Sequence, residues 1–204
     1  MSSRQNIEQA WKAAQLDNLD ELKELVPALV SPNASTFSSE NHAHTLLMCA
    51  AAHGSLTCAR YLVEKGANVN AKNFAGYTAL HWAAYTGRDE TLLLLKQSGA
   101  NIEARTEDGK TPLIMAAFRG NIDFISELLK LKADINAVSC DGWNAMHYAI
   151  MSNQKATCNF LFSHNIDISP SDSKGRTMKE FAALYKRNWY PPLEEKYSKV
   201  QNNE

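Results

Sequence analysis

The chain has 204 residues, 45% of them apolar and 21% charged, with a formal net charge of -1. These are the proportions of a soluble globular protein with enough length for one large core or two small ones, and they leave no net positive field to gather nucleic acid non-specifically. The longest apolar runs, such as Leu92 to Leu95, are too short to cross a bilayer, and the opening MSSRQNIEQAW lacks the charged-then-apolar order of a secretion signal.

In chain order, the first predicted element is IEQAWKAAQLDNLDELKELV, a helical stretch placed between residues 5 and 30. Trp11 is expected in its core. The next segment, residues 31 to 44, is rich in Pro, Ser and Asn and reads as an extended loop. A strict step then begins. Thr45, Thr78, Thr111, Asn144 and Thr177 lie 33 residues apart, and so do Ala50, Ala83, Ala116, Ala149 and Ala182. Leu47, Leu80, Leu113 and Met146 keep the step, as do Leu62, Leu95, Leu128 and Leu161. Gly54, Gly87 and Gly120 follow it, with Asn153 in the next copy, the second choice for a positive-φ turn.

Each copy reads as two short helices. In GYTALHWAAYTGRDETLLLLKQSGANIEA, Thr78 is the expected N-cap of the first helix, worth about 1 kcal/mol, and Gly87 its stop. Pro112 stands at a first helical position, where a missing N–H costs nothing. The second helix, DETLLLLKQ, carries more leucines than one stripe needs, so it is expected to be covered on several sides. An extended, hairpin-like connection then leads to the next copy. Two such helices cannot bury these faces alone; stacked copies can, and the result is a solenoid.

The pattern G-x-T-P-L-x-x-A-A-x-x-G, a leucine-rich helix and G-A-x-[IV]-N-A resembles the ankyrin repeat from roughly residue 40 to 185. The resemblance implies an all-α ankyrin-repeat solenoid of about six units, with a capping repeat at 5–30, four internal repeats at 45–176, a C-terminal cap at 177–190 and a tail at 191–204. Ala13-Ala14 align with Ala50-Ala51 at a spacing of 37. Departures from the family pattern are His42-Ala43 for Asp-Gly, Asn144 for threonine, and Lys132 and Asn165 for the glycine that ends the second helix. These are expected to loosen individual turns. Lys179 replaces an apolar residue, as a solvent-facing cap requires, and Pro191-Pro192 argue against a regular second helix in that cap.

No catalytic constellation is found, so no enzyme activity is expected. His81 and His147 fill a slot that in ankyrin repeats bonds to backbone, and Met48 and Ile114 fill it in other copies. His42, His44 and His53 lack the cysteine or spaced carboxylate a zinc site needs. No glycine-rich phosphate loop, nucleophile elbow or HExxH appears, and no cofactor or metal is expected. Asn70 and Asn136 occupy a position hydroxylated in some relatives; a structural role at the turn is expected instead. Cys49, Cys58, Cys140 and Cys158 have no paired spacing and read as reduced thiols of an intracellular, cytoplasmic protein.

Framework slots repeat because packing fixes them, so slots that vary between copies are free for binding. In ankyrin architecture these lie on the hairpin tips and the exposed side of the first helices, on one concave face. They are Asn41, His42, His44, Ala52 and His53; Phe74, Ala75, Tyr77, Tyr85 and Thr86; Glu107, Asp108, Lys110, Phe118 and Arg119; Cys140, Asp141, Trp143, Met151 and Ser152; and Ser173, Lys174, Arg176, Leu184 and Tyr185. The large aromatics among them are of the kind that dominates interface hot spots. Trp82, Met115, Tyr148 and Phe181 share a slot assigned to inter-repeat packing. The expected role is a monomeric scaffold or adaptor gripping a protein or peptide segment. The rival is a small-ligand or nucleotide sensor, with Phe118 and Trp143 stacking a base and Lys110 or Arg119 meeting phosphate.

Overall fold

The computed structural model describes residues 3–26, 28–36 and 43–201, apart from the side chains of 199–201. The described residues contain twelve α-helices and no strand, with one isolated antiparallel bridge between Ser35 and Thr45. The first helices of the successive units are α1 (Ser3–Gln15), α3 (Leu46–His53), α5 (Ala79–Thr86), α7 (Pro112–Arg119), α9 (Ala145–Met151) and α11 (Met178–Leu184). Their partners are α2 (Leu19–Leu25), α4 (Leu56–Glu64), α6 (Asp89–Gln97), α8 (Ile122–Lys130), α10 (Lys155–Ser163) and α12 (Tyr190–Gln201). None of these helices is long and apolar enough to cross a membrane.

Small side chains form the seams of the inner layer. Ala50, Ala83, Ala116, Ala149 and Ala182 are each completely buried. A methyl group lets neighbouring backbones approach closely, and α3, α5, α7 and α9 touch one another more extensively than α4, α6 and α8 do. The second layer is filled by Leu62, Leu95, Leu128 and Leu161, all fully buried. Small residues thus line the layer of first helices and leucines the layer of second helices. The leucine run of α6 is covered on fewer sides than its composition implies: Leu92, Leu94 and Leu95 are buried, but Leu93 is 51% exposed.

Polar groups fix the register between units. Thr45, Thr78, Thr111 and Thr177 each accept from the amide three residues on, and Asn144 accepts from the amides of Met146 and His147. At three of the left-handed turns the next residue, Ser55, Asn121 or Arg187, reaches back to a carbonyl at the end of the preceding unit's first helix. Asn121 donates to the carbonyls of Ala84 and Tyr85, and Arg187 to those of Ile150 and Met151. A second ladder crosses the loops: the side chains of Asn33, Asn70, Glu103 and Asn136 accept from the amides of Asn68, Asn101, Asp134 and Asp167. Asn70 and Asn136 are rungs of this ladder, as their turn positions led us to expect.

The departures from glycine do not disturb the turns. Asn153 keeps the left-handed conformation (φ 64°), and Lys132 (φ 68°) and Asn165 (φ 57°) match Gly66 and Gly99. The reason is space: a Cβ built at Gly66 or Gly99 meets nothing within 4 Å, so substitution there costs backbone strain alone. Gly76 is different. A Cβ there would lie 2.6 Å from the Glu107 amide nitrogen, where the next hairpin packs.

The C-terminal end also departs from expectation. Where Pro191-Pro192 argued against a regular second helix, α12 runs from Tyr190 to Gln201. Both prolines sit in its first turn, where amide hydrogens have no intrahelical partner and the fixed φ is already helical. Tyr190 is fully buried and Leu193 nearly so, and Tyr197 stacks on Phe162 with ring centroids 5.0 Å apart. Lys179 is exposed, as a cap requires.

Two substitutions test this division of the turns. Lys132→Gly relieves strain without opening a contact and is expected to raise unfolding free energy by up to about 1 kcal/mol. Gly76→Ala drives a methyl into backbone and is expected to lower it by about 2 kcal/mol or more. Urea denaturation of both variants beside wild type measures the contrast.

Candidate protein-binding face

Each connection between units is a tight loop whose ends bond to each other. Asn73 donates its amide to Tyr77, Thr106 to Lys110, Ser139 to Trp143 and Asp172 to Arg176. Neighbouring tips are then tied sideways: the amides of Glu107, Cys140 and Ser173 donate to the carbonyls of Ala75, Asp108 and Asp141 at 2.9–3.0 Å. The polar residues opening each tip, Asn73, Thr106, Ser139 and Asp172, are at least nine-tenths buried. Asp172 shows why: its carboxylate accepts from the amides of Lys174 and Arg176 and pairs with the Arg176 guanidinium, which holds its pKa down at about 2. The tips thus form a fixed rim beside the first helices.

Rings fill the angle between rim and helices in two groups. In the first, Trp82 is the hub. His44 meets it at 4.7 Å, Tyr77 at 5.4 Å and Tyr85 at 6.0 Å between centroids. Tyr85 stacks at 6.3 Å on Phe118, and the Arg119 guanidinium lies 4.6 Å over the Tyr85 ring. In the second, Trp143 meets Tyr148 at 5.5 Å and Phe181 at 5.0 Å, and Phe181 continues to Tyr185 at 4.9 Å. Lys110 lies over Tyr148 and is ion-paired to Asp108 at 2.9 Å; Arg176 lies over Phe181. Tyr77, Tyr85, Phe118 and Trp143 are all half-buried, packed at the base with one side toward solvent. The structure does not gather them into one cluster, since Trp143 belongs with the later units.

The remaining sequence candidates are scattered along the same face. Phe74 is 81% exposed at a tip and makes no ring contact. Glu107, Asp108 and Asp141 are exposed on adjacent tips. Met151 is half-buried on the floor. Asn41 and His42 lie outside the described residues.

Trp82 packs between units, as its slot implied, against His44 at the edge of the core, and keeps a partly exposed side at the centre of the first group. One feature escaped the reading from sequence. Ala52, Tyr85, Phe118, Met151 and Leu184 form a continuous apolar row at the 33-residue step, and none of them is fully covered. The step itself carried that signal: one slot stays apolar in five successive copies without being a core slot.

The two histidines at the N3 slot of α5 and α9 are buried in the framework. His81 accepts from the Thr78 amide through Nδ1, and its Nε2 faces the Lys110 carbonyl at 3.0 Å. Desolvation of the buried ring pushes its pKa down to about 4, and burial does the same to His147. His53 is held by its own helix, Nδ1 to the Cys49 carbonyl, while His44 packs on Trp82. No group of side chains suited to a metal occurs among the described residues. Cys49, Cys58 and Cys158 are buried thiols pushed up to about 12; Cys140 is exposed.

The low histidine pKa values set an acid sensitivity. Below pH 6.5 the unfolded chain takes up protons that the folded ring refuses, so stability falls as pH drops toward 4. At about pH 5 each histidine is expected to withdraw about 2 kcal/mol. Urea midpoints at about pH 7.5 and pH 5 should differ accordingly in wild type, and His81→Gln should show a clearly smaller difference.

A family profile described as ankyrin repeats (three copies) matches residues 10–106 and again 91–172. A mouse protein, described as protein fem-1 homolog A-like, is 45% identical over 56 residues, a stretch covering 28% of this chain and 9% of that protein. The chain therefore spans a small part of that relative's length. With the profile covering most of the sequence and the paired helices repeating as its residues dictate, this chain belongs to the ankyrin-repeat family.

Proposed function

We propose that the chain is a non-catalytic scaffold or adaptor that grips a segment of another protein on the face of its third to fifth units. Ankyrin solenoids generally serve as protein-interaction modules, using the extended surface that stacking leaves free. The observation that carries the reading is the run of half-exposed rings, Tyr77, Trp82, Tyr85, Phe118 and Trp143, on helices and tips already locked by their neighbours. Rings held rigid before binding lose little entropy on contact, and Trp, Tyr and Arg are the residues whose truncation costs most at interfaces. Buried thiols without disulfides fit an intracellular, cytoplasmic setting. The protein acts as a monomer in this reading.

The test begins with a partner segment isolated by unbiased selection and titrated against variants. Tyr85→Ala and Trp143→Ala are each expected to cost about 2 kcal/mol, roughly thirtyfold in affinity. Leu93→Ala, on the outer layer, should change nothing. Losses below about threefold at both rings, less than 1 kcal/mol, contradict the assignment. Thermal melts with nucleotides address the sensor reading, which requires stabilisation that grows with nucleotide concentration.

A further inference from the structure

The four inner helices α3, α5, α7 and α9 read LLMCAAAH, ALHWAAYT, PLIMAAFR and AMHYAIM. Together they carry one formally charged side chain, Arg119. It is exposed, at the C-terminal end of α7, one residue after Phe118 in the apolar row that also holds Tyr85 and Met151. Arg119 takes part in none of the ion pairs found among the described residues, whereas Lys110 and Arg176 are held by Asp108 and Asp172. Its guanidinium is laid against the Tyr85 ring, 4.6 Å from the centroid.

That combination has a chemical meaning. An arginine resting on an aromatic ring is oriented by it, and its coplanar N–H groups can meet both oxygens of a carboxylate. A partner segment laid along the apolar row would exclude water beside this exposed cation, and an ion pair formed there is stronger than one in open solvent. A second carboxylate would be unwelcome nearby, because Glu107, Asp108 and Asp141 line the adjoining tips.

We propose that Arg119, oriented by Tyr85, is the carboxylate anchor of this face, and that the partner segment carries one Asp or Glu flanked by apolar side chains that lie on Tyr85, Phe118 and Met151. This rests on the interaction reading above and adds the partner's chemistry to it. A lysine keeps the charge but not the planar fork, so Arg119→Lys should not restore what Arg119→Gln removes.

The experiment selects a random linear peptide library against the full chain and titrates recovered peptides, by calorimetry, with wild type, Arg119→Gln, Arg119→Lys, Tyr85→Ala and Trp143→Ala. The expected peptides contain an acidic residue between apolar ones and lose at least about tenfold affinity with either Arg119 variant. Replacing the peptide's acid by its amide should abolish that sensitivity, as a double-mutant cycle requires. Arg119→Gln, at an exposed site, should melt close to wild type. Peptides that depend on Tyr85 or Trp143, lack acids and ignore Arg119 overturn the anchor while the interaction reading survives. Should Arg119→Gln lower the melting temperature and leave peptide affinity intact, Arg119 is a staple for Tyr85 and the anchor also falls. If no recovered peptide depends on Tyr85 or Trp143, both readings fall.

Discussion

No unit of this chain can satisfy its own helices. The inner first helices α3, α5, α7 and α9 present apolar residues on nearly every side, and alanines such as Ala83 and Ala116 are inaccessible with neighbouring first helices against them. Isolated helices of eight or nine residues are unstable in water, so every helix pair depends on contact with adjacent ones. Burial of a side chain of leucine size contributes about 1.5–3 kcal/mol. The leucines of α4, α6, α8 and α10 collect it only when a neighbouring unit is in place. Coupling between nearest neighbours is thus the condition for everything else in the molecule.

Polar groups turn that coupling into a defined geometry. The loop ladder from Asn33 to Asn136, the back-reaching caps Asn121 and Arg187, and the amide bonds between hairpin tips all join one unit to the next. They are directional, so they set the angle at which units stack, which apolar contact alone does not. A rim and floor held this way present side chains without having to reorganise on binding. This is why the half-exposed rings on the face are a credible place for recognition, and why a cation among them has meaning.

Much of this was legible in the sequence because each structural job recurs at a fixed step. The N-caps, the alanine seam and the turn glycines announced themselves through Thr78, Ala83 and Gly87 and their counterparts. What escaped did so for physical reasons. Pro191 and Pro192 look like helix breakers unless they are known to fall in a first turn, and that depends on Tyr190 being buried under the preceding unit. Lys132 was expected to loosen its turn because the sequence cannot say whether a turn faces solvent or backbone. The candidate face was legible in part: its residues follow from variable slots, but the split between the Trp82 and Trp143 groups and the resting place of Arg119 depend on side-chain directions. Trp82 does the packing its slot implied and also stays partly exposed, because one slot serves both.

The claim beneath the whole account is that the alanine seam sets how closely units stack, and through that both stability and the shape of the face. Ala116→Leu in the full chain tests it most directly, read by urea denaturation followed through tryptophan fluorescence. The account expects the extra side chain to force α5, α7 and α9 apart, lowering the unfolding free energy by about 2 kcal/mol or more, with the emission of Trp82 and Trp143 altered before unfolding begins. A variant with an unchanged midpoint and unchanged native emission would contradict it.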